Sequence, residues 1–562
     1  MLRSVILLIV SLLPAAAQFD PAVSPREMDR TEGAGLPFGS VDVPETDEPD
    51  RSPLLMAELR GLVLRGGGAG VARAPGASPV VRIEGVSPAL VDPLAAAVSA
   101  WIGSPLTERG LDRLTDAILA VYQRNGRPVV DIAVPDQDLA AGRLVVEITE
   151  GRVGAVGMER TRHFNDELLG GAIQLEEGEL LTTGRLQEQL DWLNRNPFRS
   201  ASMFAAPGEG IGEADFVFTF EESRPWRVYT GYENSGTEAA GEHRFLAGIN
   251  WGNAFGLDHV VGYQVTVGES LDRFQAHAVS WEIPLHELHR YVRINATWAD
   301  IEARGSSGGM PINAEGETWA VSAAWGIPLP RAGDFRRELR VGAEFKATDN
   351  FLTFGEIIFP GQQVEIVQGR IDFETRARWE ESALEASLSL VASPGGLSAR
   401  NDDASFDAFR AGADAGYIYL AGQAAWVRRL PESWSLRLAA QGQLADGKLL
   451  PIEQLAFGGH DTIRGFDERE FLADSGYILT GEVRSPAVSL GVGVLPEARL
   501  QVLTFLDHGT GWRRGDGSNS FTGAGAGLRL DAGDTGELRF DLAWPLGESG
   551  GPEAHAGVLV AF

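Results

Sequence analysis

Cysteine is absent from the 562 residues of the chain. Its absence excludes disulfide bonds, cysteine-ligated zinc, iron–sulfur clusters and thiol nucleophiles together. Basic residues are also scarce, because 48 Lys and Arg stand against 78 Asp and Glu and leave a net charge of -30. Nucleic acid is therefore not an expected partner, since phosphate contacts need clustered Lys and Arg. With 44% hydrophobic and 22% charged residues, the chain is too apolar for global disorder.

Long apolar runs are scarce as well. The N-terminal run Ser4–Leu13 lies behind the positive Arg3 and ahead of the small residues Ala15 and Ala17. This arrangement predicts a signal peptide over residues 1–17. A membrane anchor is the alternative, but the run is too short to cross about 30 Å of hydrocarbon. Because no later run reaches the roughly 18 residues of a spanning helix, a membrane location would require a closed barrel.

The first folded region repeats one pattern twice. Residues 79–151 and 152–224 each read as strand, helix, helix, strand, strand. In the second helix of the first copy, Leu114 and Ile118 lie four apart on one apolar face, as in an amphipathic helix. Two small α+β domains are the simplest explanation. The Pro- and acid-rich residues 18–78 before them are predicted to be a leader or linker.

Residues 225–562 lose the helical period and alternate apolar with polar side chains between turns. Leu538 and Phe540 face one way, for example, while Arg539 and Asp541 face the other. A soluble sandwich alternates too, but this many hairpins would need an improbably large one. A transmembrane barrel uses the same pattern, with lipid outside and a polar lumen inside. About 16 candidate strands, with 14 or 18 as alternatives, suit a closed antiparallel barrel.

Several motifs occur in a fixed order along the chain. The long loop predicted at about 445–475 contains Gly458-Gly459-His460-Asp461-Thr462-Ile463-Arg464-Gly465-Phe466. The strands after it carry Gly481-Glu482-Val483-Arg484-Ser485-Pro486 and then Phe505-Leu506-Asp507-His508-Gly509. The two repeats carry Tyr122-Gln123-Arg124-Asn125-Gly126 and Asn196-Pro197-Phe198-Arg199. Together these motifs resemble the TpsB transporters of two-partner secretion (the ShlB/FhaC/HecB type), in the superfamily that includes BamA-like insertases.

The resemblance implies a mixed architecture in the outer membrane of a Gram-negative cell. Two periplasmic α+β POTRA (polypeptide-transport-associated) domains would precede a 16-stranded antiparallel transmembrane β-barrel. It implies a transporter and not an enzyme: POTRA domains capture a large unfolded exoprotein, which leaves through the barrel. The expected partners are this TpsA-like exoprotein, outer-membrane lipid and the barrel assembly machinery, and no cofactor is implied. A BamA-like insertase and a passive diffusion pore are the alternatives.

The resemblance also implies the functional residues. The long loop would fold into the lumen and bring Arg464 to Asp507, which strand parity places on the inward face; a solvated loop arginine is the alternative. The loop motif is Ile463, Arg464, Gly465 and Phe466, the wall motif is Phe505, Asp507 and Gly509, the supporting lumen residues are Glu482 and Arg484, and the barrel-assembly signal is Phe562.

Two sequence features superficially resemble enzyme motifs. His286 and His289 lie three apart and not four, so they do not match a zinc-protease helix. The glycine-rich run Gly523–Gly527 has no helix after it to bind a pyrophosphate, and it is interpreted as a barrel strand with closely packed neighbours. Family members often begin with a helix that plugs the barrel, but the prolines of residues 18–53 do not suit a long helix.

Overall fold

The computed structural model describes residues 52–67, 80–307, 310–354, 357–491, 498–547 and 550–562. The predicted signal peptide (1–17) and most of the predicted leader lie outside these residues. The described chain forms two compact units, which divide between Ser223 and Arg224.

The N-terminal unit contains two α+β domains. The elements of the first are β1 (Leu54–Met56), β2 (Gly61–Gly66), β3 (Val81–Glu84), α1 (Pro88–Val98), β4 (Leu106–Thr107), α2 (Glu108–Arg124), β5 (Val130–Ala133) and β6 (Arg143–Glu150). The elements of the second are β7 (Arg152–Met158), α3 (Asp166–Ala172), α4 (Thr183–Leu193), β8 (Arg199–Pro207) and β9 (Glu213–Glu222). Both domains therefore have the predicted order of two helices followed by two strands.

Helix α2 shows how the sequence produces the first domain. The helix begins behind Thr107, whose side-chain oxygen accepts a hydrogen bond from the Gly110 N–H. Leu114 and Ile118 on its apolar face are fully buried against the sheet. Tyr122 is buried at the end of the same face. Its burial raises the pKa of its hydroxyl, and the negative charge of Glu150 raises this pKa further.

The prediction of a leader over residues 18–78 is wrong for residues 52–67, the part of this range that the structure describes. Strand β2 lies inside the first domain's sheet, whose order is β3-β2-β6-β5, and it pairs in parallel with both β3 and β6. Leu62 and Leu64 of β2 are fully buried in the core. The first domain thus begins before residue 79. The glycines after β2 concealed this, because parallel pairing with a distant strand leaves no local sequence signal.

The second domain has a smaller sheet of order β7-β9-β8, in which β8 is an edge strand. Its core contains Phe216 and Phe218 of β9, both fully buried. The Arg199 guanidinium lies over the Phe164 ring at 4.8 Å and donates to the Leu193 carbonyl at 3.0 Å. The motif that contains Arg199 therefore ties α4 to β8.

The C-terminal unit is a closed antiparallel barrel of sixteen strands, as predicted. Its first strands are β10 (Trp226–Glu233), β11 (Arg244–Ala254), β12 (His259–Val267), β13 (Phe274–Leu285), β14 (Arg290–Ser307), β15 (Met310–Ala332), β16 (Phe335–Phe354), β17 (Ile357–Arg378) and β18 (Ser382–Pro394). After helix α5 (Asp403–Phe409) come β19 (Gly416–Arg429), β20 (Ser435–Ala445), and the short pair β21 (Leu455–Phe457) and β22 (Phe471–Ala473). The last are β23 (Ser475–Arg484), β24 (Val488–Ser489), β25 (Arg499–Arg513), β26 (Gly517–Asp531), β27 (Gly536–Pro545) and β28 (Glu553–Ala561).

Three features complete the barrel. Strand β28 pairs with β10 from Tyr229↔Ala561 to Glu233↔Gly557 and closes the circle. Strand β24 continues the line of β23 along β25, while β21 and β22 pair only with each other within the sheets. Short 3₁₀ turns occur in the barrel unit at His286–Leu288, Pro431–Ser433, Pro451–Glu453 and Gly533–Thr535, and in the first domain at Ser99–Trp101. None of the helices in the described ranges is long and apolar enough to cross a membrane.

We predict that the first domain needs β2 in order to fold. A fragment of residues 52–224 should unfold cooperatively, whereas a fragment of residues 79–224, which lacks β2, should lose the cooperative transition of its first domain. In the longer fragment, Leu64→Ala should cost about 2–5 kcal/mol, because the side chain leaves a core cavity. Chemical denaturation followed by circular dichroism measures both effects.

The exposed neighbour Arg65, replaced by Ala, is the control and should change the unfolding free energy by less than about 0.5 kcal/mol. Equal stability of the two fragments would show that β2 is dispensable.

Candidate functional site

The loop of residues 446–474, called the lumen loop below, connects β20 to β23 and is packed against the inner wall of the barrel. Its two short strands, β21 and β22, hold an apolar cluster that includes wall residues of β23 and β26. The cluster consists of Leu455, Phe457, Ile463, Phe466, Phe471, Ala473, Ile478 and Phe521. Phe466 meets the Phe521 ring edge-on at 5.2 Å. The loop is thus a packed element and not a solvated connection.

The Arg464 side chain pairs with the Asp507 carboxylate on β25. Its Nε donates to Oδ2 at 2.7 Å and its Nη2 to Oδ1 at 2.9 Å, and the Arg464 backbone N–H also donates to Oδ2 at 3.2 Å. The Arg464 side chain is 4% exposed and that of Asp507 0% exposed. This two-pronged geometry requires the planar guanidinium, because the Lys ammonium is a compact point charge without a planar fork of donors.

Two more carboxylates surround the same guanidinium. Arg464 Nη1 lies 3.0 Å from Glu482 of β23 and 3.8 Å from Asp541 of β27. Arg484 binds Glu482 at 2.6 Å, and Arg529 binds Asp541 through both of its terminal nitrogens at 2.8 Å. Three acids and three arginines therefore form one alternating network across four strands and the loop. Such balance is what allows buried charges to persist.

The wall also accommodates the loop through shape. The Arg464 guanidinium stacks on the Phe505 ring at 3.4 Å from its centroid. A Cβ atom added to Gly523 would lie 1.8 Å from the Arg464 carbonyl oxygen, so β26 must lack a side chain there. Gly465 has φ +93°, a conformation that favours glycine, and its N–H faces His555 Nε2 at 3.4 Å. The glycine-rich strand is thus a close-packing surface, as the sequence interpretation proposed.

The structure brings most of the predicted site residues together and leaves one apart. Arg464, Asp507, Glu482 and Phe505 are in direct contact, as described above. Gly509 lies under Ile463, because a Cβ there would come within 2.8 Å of the Ile463 side chain. Phe562 lies elsewhere, 76% exposed at the end of β28, where its N–H donates to the Val228 carbonyl.

Sequence reasoning missed two members of the site. Asp541 was placed on the inward face of its strand but was not connected to Arg464, because the two are distant in sequence. His555 on β28 lies against Gly465 and gave no motif signal. Among the described residues, no group of three or more potential metal ligands is found. His286 lies 3.3 Å from Asp258 in a turn between barrel strands.

A closed barrel that follows two small α+β domains and holds an inward-folded loop is the architecture of an outer-membrane protein transporter. The model of the haemolysin secretion/activation proteins ShlB/FhaC/HecB matches residues 212–530, and that of the ShlB-type POTRA domain matches residues 80–151. Since the first match spans more than half of this chain, the chain belongs to the ShlB/FhaC/HecB family. It is located in the outer membrane with periplasmic POTRA domains.

Known relatives agree with this assignment. The outer membrane transporter CdiB-2 of Burkholderia pseudomallei is 23% identical over 437 residues, which cover 73% of this chain and 69% of the relative. The heme/hemopexin transporter protein HuxB of Haemophilus influenzae is 18% identical over 436 residues, 75% of this chain and 73% of the relative. The solved structure of CdiB from Escherichia coli has the same fold, with a TM-score of 0.76 and 19% identity over 96% of this chain and 95% of that one.

We predict that Arg464→Ala and Asp507→Ala each reduce transport more than about tenfold while the barrel still assembles. The strands close through their own backbone ladder, whereas removing one member of a buried ion pair typically costs about 3–5 kcal/mol. The double variant should be no worse than either single variant, because both remove one interaction. Heat-modifiable gel mobility reports assembly, and the amount of exported protein in the medium reports transport.

Arg499→Ala is the matched control, since Arg499 and Asp531 form a half-exposed pair at a barrel turn. Its effect should be negligible. Additive transport defects in the double variant would mean that Arg464 and Asp507 act separately.

Proposed function

We propose that this transporter exports one large exoprotein in an unfolded form, captured in the periplasm by the POTRA domains and passed through the barrel. The observation that carries the proposal is a groove between the two sheets of the N-terminal unit. Its cavity volume is about 560 Å³. The groove is lined by Leu119, Gln123, Pro128, Val129, Val130, Asp131, Ala205, Ala206, Pro207, Ile211, Gly212, Glu213 and Ala214.

Both sheets contribute an edge strand to this groove. Strand β5 ends one sheet and β8 ends the other, so each has one side without a partner strand among the residues that the structure describes. An extended peptide adds to such an edge through backbone hydrogen bonds, which do not depend on sequence. Near the groove, Phe204 is 62% exposed and Ile211 82% exposed. These side chains offer apolar contacts to the alternate residues of an added strand, so an unfolded chain suits the groove better than a folded protein does.

The barrel supports the second half of the proposal. Its outer face exposes apolar side chains such as Ile249, Val341, Val502 and Leu506, which fits contact with lipid. The charged network around Arg464 lies on the inner side of the wall beneath the lumen loop, and it would face a polar backbone in transit once the loop moves. The proposal includes no catalytic step and no cofactor, and folding of the exoprotein outside the cell would supply the driving force. Barrel assembly machinery would recognise the end of β28 at Phe562.

A gene deletion separates this function from its two alternatives. Under the proposal, the culture medium loses one large secreted protein while the other outer-membrane barrels stay at parental levels. General loss of barrel proteins would instead establish a BamA-like insertase. A passive pore would show neither loss, and its conductance would not depend on the POTRA domains.

We predict that Phe204→Glu reduces export of that protein about tenfold, because a charge in place of an apolar anchor opposes docking of an extended chain at β8. The variant should fold normally, since the side chain is mostly exposed. Quantifying the exported protein in the medium measures the effect.

Leu54→Glu is the matched control, because Leu54 is 61% exposed on β1, a strand that contributes no residue to the groove, whereas β8 contributes three. It should export at the parental level. Equal export by both variants would remove β8 from substrate recognition.

A further inference from the structure

A second cluster of buried charges joins three loops at the outer end of the barrel. These are residues 395–415, the lumen loop and residues 514–516, and they lie at the end opposite to the start of β10. Since the POTRA domains precede β10 in the periplasm, this end faces outward. The centre of the cluster is Asp474, the last residue of the lumen loop, which is 0% exposed.

The Asp474 carboxylate accepts hydrogen bonds from all three loops. Arg410 donates through both terminal nitrogens, the second at 2.9 Å. The lumen loop itself donates from the Leu449 N–H at 2.8 Å and from the Gln454 side chain at 3.0 Å. The Arg514 N–H donates at 2.9 Å. Five donors on one buried carboxylate make Asp474 the residue through which the three loops are connected.

Further bonds run between the same loops. Arg410 also donates to the Leu449 carbonyl, and Arg514 donates at 3.0 Å to the carbonyl of Ala445, the last residue of β20 before the lumen loop. At the surface, Lys448 Nζ donates to the Ala411 carbonyl at 2.9 Å. The loops are thus linked at several depths, so they would have to separate together.

The start of the lumen loop is fixed to the barrel wall by a separate pair. The Glu453 carboxylate, which is buried, accepts from Lys346 Nζ of β16 at 2.6 Å and from the Tyr419 hydroxyl of β19 at 2.7 Å. Gln368 of β17 donates to it at 3.3 Å. Three strands of the wall therefore hold the point at which the loop turns inward.

Helix α5 covers this polar cluster with an apolar lid. Phe406 and Phe409 of α5 pack in one buried cluster with Val364, Leu449 and Leu450. Asp474 and Glu453 are both buried. Moving the loop 395–415 would break the Arg410 bonds to Asp474 and open the apolar cluster at the same time, as expected of an element with two discrete states.

We propose that Arg410, Asp474, Lys346 and Glu453 form an outer latch that closes the barrel mouth and must release during transport. The latch shares no residue with the Arg464 network, so it positions the outer loops while Arg464 sets the depth of the lumen loop. Ion pairs suit a reversible closure because both partners regain hydration when they separate. The role in transport rests on the proposed export through the barrel, whereas the role in closure does not.

Single-channel recording of the purified full-length chain in planar bilayers tests closure without a substrate. Asp474→Asn and Arg410→Gln should raise the open fraction about tenfold or more over the parent, since each leaves a latch partner uncompensated. Asp531→Asn, at the half-exposed pair with Arg499, is the matched control and should stay as closed as the parent. Open fractions of assembled latch variants equal to the parent would overturn the latch.

A cross-link provides a second test if those variants fail to assemble. The chain has no native thiol, so Ala411→Cys with Lys448→Cys gives one surface pair across two of the loops. A short, cleavable bifunctional thiol reagent should abolish both the openings and the export, and a reductant should restore both. Either single cysteine treated with the same reagent is the control.

The two roles fail in different ways. Openings that persist after cross-linking would overturn the latch. If cross-linking stops the openings but the unlinked chain exports nothing in cells, closure stands and the proposed export fails.

Discussion

The Arg464–Asp507 pair is the interaction on which the arrangement of the lumen depends. The Arg464 guanidinium and the Asp507 carboxylate are both buried inside the barrel and removed from water. The pair persists because Glu482 and Asp541 complete the charge balance and because Phe505 supplies a ring on which the guanidinium stacks. Gly523 follows from the same constraint, since any side chain there would strike the Arg464 carbonyl oxygen. Five strand positions are therefore explained by one loop arginine.

Much of this arrangement follows from local sequence patterns. Period-two alternation predicts the barrel and places Asp507 inward, and the period of the apolar residues Leu114 and Ile118 predicts α2. The family motifs connect Arg464 to Asp507, a link that alternation alone does not provide. Contacts between distant segments were not predictable in this way. Strand β2 joins its sheet by parallel pairing across the domain, and Asp474 carries no motif although it connects three loops.

The two buried clusters hold different parts of the lumen loop. The network of Arg464 fixes the tip of the lumen loop to β23, β25 and β27, while Asp474 and Glu453 fix its ends to other loops and to the wall. Both clusters are polar and covered by apolar residues. A partial displacement of the loop would therefore leave buried charges without their partners. Under the proposed latch, a loop held at both its tip and its ends would leave the lumen by large steps and not by gradual drift.

The most direct test of this account is a distance measurement between spin labels on the lumen loop and on the wall. The cysteine-free chain permits labels at Asp467→Cys and Ser489→Cys, both exposed, without background. Pulsed electron–electron double resonance should give one narrow distance distribution in the doubly labelled parent chain and a broad distribution after Asp507→Ala. An equally narrow distribution with and without the Asp507 carboxylate would contradict the claim that the Arg464–Asp507 pair holds the loop in place.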